Sequence, residues 1–188
     1  MAKNTKAVIK AAFLELLKQH PMASITVQDI VNVCGLNRNT FYYHFDDVPA
    51  LLSEIILDYV DEMKEKYYSP DCGDKFIDAI LHWSLEYKAE LLHIFRSVPR
   101  ESFEKSLHRL CIYMYNIQAE HFINGRNISH EDKEIIKHYF VCESFAESLF
   151  WLEEGLSEDK IPELHRQLQI FQGVLDMALK RAEGKKTK

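Results

Sequence analysis

Apolar positions recur along most of the chain at intervals of three and four. No sustained alternation of two occurs, so the pattern predicts helices and no strand. Val8, Ile9, Ala12, Phe13, Leu16 and Leu17 share one face of a first helix between Lys3 and Lys18, with lysines opposite and Pro21 ending it. Thr26, followed three residues later by Asp29, reads as a capping box opening a second helix. That helix runs through Ile30, Val31 and Val33 to Cys34, and Gly35 supplies a left-handed stop. Asn37 is a good N-cap for a third helix over Arg38 to His44. Asp46 or Asp47 caps a fourth, with Pro49 in its first turn, continuing through Leu51, Leu52, Ile55, Ile56 and Tyr59 towards Lys66.

The stretch 69–74 is the clearest break. Residues 75–98 read as one long or two short helices stopped near Pro99, and 102–123 as another. Residues 124–132 form a loop in which Ser129 and Asp132 offer a second capping box. Helices over 131–154 and 161–182 finish the chain, separated by "GLSEDKIP". The predicted fold is all-α, about nine helices, in which three short N-terminal helices are joined by a linking helix to a larger helical body.

Composition supports a packed fold: 188 residues, 47% hydrophobic, with only 6 Gly and 5 Pro, too few turn-formers for a β-sandwich. No run is long and apolar enough for a membrane span. Glu15 and Lys18 interrupt any signal-peptide core, so the expectation is a cytoplasmic protein without a membrane partner. Cys34, Cys72, Cys111 and Cys142 form no CxxC pair, which argues against a disulfide framework. The net charge of −6 argues against a polyanion, but its distribution reverses that. Residues 1–45 hold Lys3, Lys6, Lys10, Lys18 and Arg38 against Glu15 and Asp29, a basic head on an acidic body.

That head carries the chemistry. Two short helices around Gly35-Leu36-Asn37 make a helix-turn-helix, with Ile30, Val31, Leu36, Phe41 and Phe45 as its small core above Phe13 and Leu17. Phe41 and Phe45 are four apart and point inward together. Arg38, Asn39, Thr40, Tyr42, Tyr43 and His44 are then left facing outward. Arginine can donate in a fork to guanine, asparagine can pair with adenine, and threonine can meet a thymine methyl. Tyrosine and histidine can donate to phosphates.

The segment "SITVQDIVNVCGLNRNTFYYHFDDVPALLSEI" resembles the DNA-binding segment of TetR-family bacterial transcriptional regulators. Those run roughly as T-x-x-x-I-A-x-x-A-G-V-[ST]-x-x-T-[LF]-Y-x-[HY]-F. Thr26, Gly35, Leu36, Thr40, Phe41, Tyr42, His44 and Phe45 stand at matching places. The resemblance implies a homodimeric repressor of double-stranded operator DNA, with a DNA-binding domain at 1–47 and an effector-binding and dimerisation domain at 48–188. It assigns groove and phosphate contacts to Thr40, Tyr42, Tyr43 and His44, base reading to Arg38 and Asn39, and a base or phosphate contact to Gln28. Two departures stand out: Val48 and Pro49 replace the usual lysine opening helix four, and Asn37 replaces a Ser or Thr cap. Lys3, Lys6 or the Tyr42 hydroxyl is the expected substitute for that lysine.

In the body, Leu164, Leu168, Phe171, Leu175, Ala178 and Ala182 follow steps of four and three, and the preceding helix, with Phe150, is apolar nearly all round. Such helices pack on two sides, against their own core or against a second subunit. The resemblance favours a dimer seam at Phe150, Leu164, Leu168, Phe171, Leu175 and Ala178. Trp83, Tyr87, Phe95, Tyr113 and Met114 are candidates to line a pocket for a small-molecule effector, or simply core. His108 with Cys111, and His138 with Cys142, each share a helix face, but nothing in the sequence brings the pairs together, and no metal or cofactor is assigned. No G-x-S-x-G, Walker loop or paired metal motif supports an enzyme. The competing expectation is a helical protein–protein adaptor or co-regulator without a small-molecule ligand.

Overall fold

The computed structural model describes residues 2–69 and 73–183, which form ten α-helices and no strand. They are α1 (Ala2–Leu17), α2 (Val27–Cys34), α3 (Arg38–His44), α4 (Val48–Tyr67), α5 (Gly73–Glu86), α6 (Lys88–Ser97), α7 (Arg100–Ile123), α8 (His130–Glu153), α9 (Ile161–Ile170) and α10 (Val174–Ala182). None is long and apolar enough to cross a membrane. Cys72 lies outside the described residues.

Two compact units divide the chain. One comprises residues 1–61 and 89–106, the other 62–88 and 107–188. The first therefore holds α1, α2, α3, most of α4, nearly all of α6 and the first turns of α7. Its core is Ile9, Phe13, Ile30, Val31, Phe41, Phe45, Leu51 and Ile55, joined by Ile94 of α6. Ile94 is a contribution from far along the chain that no local pattern announces.

The second unit packs α7 against α8 through Cys111, Tyr115, Ala119 and Val141, with Tyr115 stacked on Phe140. Leu179 of α10 is fully buried with Ile128 and Ile136. Arg126, in the turn after α7, pairs with Asp176 of α10 and lies 3.7 Å from Glu183. Asp78 of α5 meets His165 Nε2 of α9 at 2.7 Å.

The end of the chain departs from expectation. The pattern over 161–182 predicts one helix, but Phe171 and Gln172 lead into Gly173, whose φ of 79° is left-handed, and the chain restarts as α10. A left-handed residue costs glycine little and cannot be part of a right-handed helix. The predicted stripe therefore does not share one face. Leu164 is buried in its own unit, Leu168 and Phe171 are exposed, and Leu175 and Ala178 line the cluster around Leu179.

Candidate nucleic-acid interface

The helix-turn-helix is built by local side-chain bonds. Thr26 Oγ1 donates to Asp29 Oδ2 at 2.6 Å and accepts from the Asp29 amide, and the Thr26 amide returns to the same carboxylate at 2.8 Å. These bonds satisfy amides that a helix start leaves without partners. They also hold the Asp29 carboxyl below its ordinary range, chiefly through the Thr26 hydroxyl and then its amide. Gly35 takes φ 65° and closes α2, with its own amide and that of Leu36 (2.9 Å) both donating to the Val31 carbonyl. Asn37 caps α3 by accepting from the Thr40 amide at 2.8 Å and the Thr40 hydroxyl at 3.0 Å. Asp47, not Asp46, caps α4 through the Ala50 amide at 2.7 Å.

Phe41 and Phe45 are buried with ring centroids 5.7 Å apart, and their burial decides where their neighbours go. Tyr42 is 53% exposed and Tyr43 81%. Arg38 and Asn39 are exposed, while Thr40 and His44 are half-buried at the edges of the same face. Thr40 is drawn in by its bond to Asn37, and His44 meets the Tyr43 ring edge-on at 4.9 Å.

One link between the two helices went unforeseen. Arg38 Nε donates to Gln28 Oε1 at 2.7 Å, and Gln28 Nε2 donates to Asn32 Oδ1 at 2.7 Å. The side-on bond at Nε leaves the two terminal nitrogens of the guanidinium for another partner, and such a terminal pair is one with which an arginine can donate to guanine. Asn32 thus joins the candidate face. Its spacing of four from Gln28 was the available signal.

The basic head is not what the charge pattern suggests. Lys6 pairs with Glu54 at 2.7 Å, and Lys10 with Asp58 at 2.7 Å and Glu54 at 3.4 Å. Partial burial pushes the Glu54 carboxyl up, but the bonds and charges of Lys6 and Lys10 outweigh it and leave it below its ordinary range. The Lys6 ammonium also sits 5.3 Å from the centre of the Phe45 ring. Lys18 pairs with Glu15 at 3.2 Å. The first unit as a whole carries eight Lys and Arg against ten Asp and Glu. Lys6 is therefore paired with α4 in the free chain, and the side chain of Lys3 lies outside the described residues.

The remaining candidates fall in both units. Trp83 on α5 and Tyr87 just beyond its end meet with tilted rings, centroids 5.2 Å apart, and Tyr113 and Met114 are half-buried on α7, all within the second unit. Phe95 belongs to the first, edge-on to Phe103 at 5.1 Å. Among the described residues no group of three His, Cys, Asp or Glu gathers as metal ligands.

A capped pair of short helices whose second member turns arginine, asparagine and tyrosines outward defines the helix-turn-helix class of DNA-binding regulators. Residues 8–55 match the model of bacterial regulatory proteins of the tetR family, and residues 71–172 match a transcriptional regulator C-terminal region of that family. The chain belongs to the TetR family of transcriptional regulators. It is 24% identical over 165 residues to the uncharacterized HTH-type transcriptional regulator YxbF of Bacillus subtilis (strain 168), a match covering 82% of this chain and 41% of that protein. The chain thus spans less than half the length of this curated relative. The solved structure of the dihydroxyacetone kinase operon activator DhaS shares the fold, with a TM-score of 0.55 at 21% identity over 96% of this chain and 98% of that one.

Proposed function

We propose that the protein is a homodimeric repressor that binds double-stranded operator DNA through α3 and is released when a small-molecule effector binds the second unit. The observation that carries the DNA contact is the outward array of Arg38, Asn39, Tyr42 and Tyr43 on a helix anchored by Phe41 and Phe45. Arg38 and Asn39 read base edges, Tyr42 and Tyr43 donate to phosphates, and Gln28 and Asn32 aim the guanidinium.

A head of this size contacts too few bases to be specific alone, and a two-fold pair answers that by spanning half-sites about 34 Å apart. The seam is supported by exposed Ile135, Tyr139 and Phe150 on α8, Leu168 and Ile170 on α9, then Phe171. A lone soluble chain rarely leaves so much apolar surface uncovered. Leu164, Leu175 and Ala178 serve their own unit and drop out of the seam. An effector held among Trp83, Tyr87, Tyr113 and Met114 releases the operator by favouring a body conformation that spaces the heads badly, with α4 as the lever.

Selection of duplexes from a random pool, followed by gel-shift titration, tests this. The wild-type chain should enrich a palindromic site. Arg38→Ala should weaken binding to it by about 5- to 150-fold and relax one base position. Tyr42→Phe should weaken all sequences alike. A pool that yields no site, or an Arg38→Ala protein with unchanged affinity and preference, overturns the reading and leaves the adaptor alternative.

A further inference from the structure

The hydrogen bonds that link Arg38, Gln28 and Asn32 can run in only one direction. An arginine Nε–H donates and never accepts. Gln28 must therefore present its carbonyl oxygen to Arg38, as it does at 2.7 Å. Its amide nitrogen is then turned the other way, towards Asn32. An amide nitrogen cannot accept, so Asn32 must answer with its own carbonyl oxygen, again at 2.7 Å. The orientation of the Asn32 amide is thus dictated by a guanidinium on the next helix.

The consequence lies at the far end of the chain of bonds. Asn32 is exposed, and with Oδ1 turned to Gln28 the branch left pointing away from it is Nδ2, a donor. Asn32 stands on α2, the first helix of the pair, which in this class crosses the DNA backbone while its successor enters the groove. A phosphate oxygen is an acceptor with nothing to donate. The donor therefore faces outward from the helix that lies nearest such acceptors. With its amide reversed, Asn32 would offer them a carbonyl oxygen and be repelled.

We propose that Asn32 is a further DNA contact, donating from Nδ2 to a phosphate oxygen of the operator, and that Arg38 sets this donor through Gln28. The assignment rests on the reading of α3 argued above. It makes Gln28 a positioning residue for two contacts at once, Arg38 on the bases and Asn32 on the backbone. Both contacts belong to one chain. Because the asparagine is neutral, it adds affinity without adding to the counterion-driven attraction for any duplex.

The full chain is titrated by gel shift against its selected site, rebuilt with one phosphate at a time made a neutral methylphosphonate. Asn32→Ala should weaken binding to the unmodified site by about tenfold, with an unchanged slope of affinity against salt. One modified linkage should cost the wild type about tenfold and cost Asn32→Ala much less. Asn32→Asp keeps an oxygen for Gln28, so it should weaken binding at least as much while retaining the base preference of Arg38. Gln28→Glu keeps an acceptor for Arg38, but its carboxylate has no donor for Asn32, whose amide turns round. That same linkage should then lose its effect although Asn32 is intact. Asn32 is exposed and Gln28 half-buried, so these variants should keep the helical spectrum. The inference is overturned if no linkage separates wild type from Asn32→Ala, if Asn32→Asp changes the preferred base, or if the linkage stays sensitive in Gln28→Glu. Each of those results leaves the α3 reading standing, whereas a wild-type chain that selects no site removes both.

Discussion

The helix-turn-helix and the C-terminal helix pair each turn at a left-handed glycine, Gly35 and Gly173, yet only the first turn is written into the surrounding residues. Around Gly35 the neighbours agree: Thr26 and Asp29 open α2, Asn37 opens α3, and the apolar spacing resets between them. Around Gly173 nothing resets. The apolar steps run on through the glycine as if the helix continued, and α10 starts without any side-chain cap. A turn supported by several local bonds is determined by its own sequence. A turn lacking them is held by what its flanks bury, here Leu179 and the bonds of Arg126 to Asp176 and Glu183.

The contrast is sharpest in the core. Phe41 has no exposed surface, and Phe41→Ala should cost about 3–5 kcal/mol of unfolding free energy in denaturant titration. Phe171, beside the other glycine, is 60% exposed, and Phe171→Ala should leave the stability of the monomeric chain within about 0.5 kcal/mol while weakening self-association. Equal losses of stability would erase the distinction between the two regions.

The glycines themselves come next. At both, an added Cβ meets nothing within 4 Å, so the penalty of alanine is conformational alone. Gly35→Ala should destabilise by about 1–2 kcal/mol, because the bonded turn cannot relax. Gly173→Ala should cost less, because the apolar pattern on either side suits a straight helix through 161–182, and circular dichroism should register a gain in helix. A larger loss at Gly173 would show the kink to be the more firmly determined turn.

The smallest effect is electrostatic. Glu54 has its carboxyl lowered in the folded chain, so its contribution is present above the ordinary carboxylate value and is lost as pH falls through the lowered one. Glu54→Gln should therefore destabilise at neutral pH, by a few tenths of a kcal/mol to about 1 for so exposed a pair. The difference from the wild type should vanish in acid. A gap that widened in acid would contradict the ion pairs with Lys6 and Lys10.

These cases mark how far the sequence could be read. The capping box, the glycine stop, the Asn37 cap and the inward pair Phe41 and Phe45 all lie within four residues of their partners, and the structure has each of them. What escaped is non-local. Lys6 meets Glu54 and Lys10 meets Asp58 across 48 positions, Arg38 meets Gln28 across ten, and Ile94 joins a core assembled from the first 55 residues. No periodicity encodes such meetings. The first 45 residues carry a net positive charge because the acids that pair with Lys6 and Lys10 arrive one helix later, in α4.

Those ion pairs bear on how the regulator would find its site. Attraction to arbitrary DNA comes mostly from cations that displace condensed counterions, and in this head Lys6 and Lys10 of α1 are already engaged by α4. Excursions along non-cognate duplex should accordingly be brief. Under the proposed base reading, search would proceed mainly by repeated collisions from solution, and residence on a chromosome would be governed by the few base edges assigned to Arg38 and Asn39.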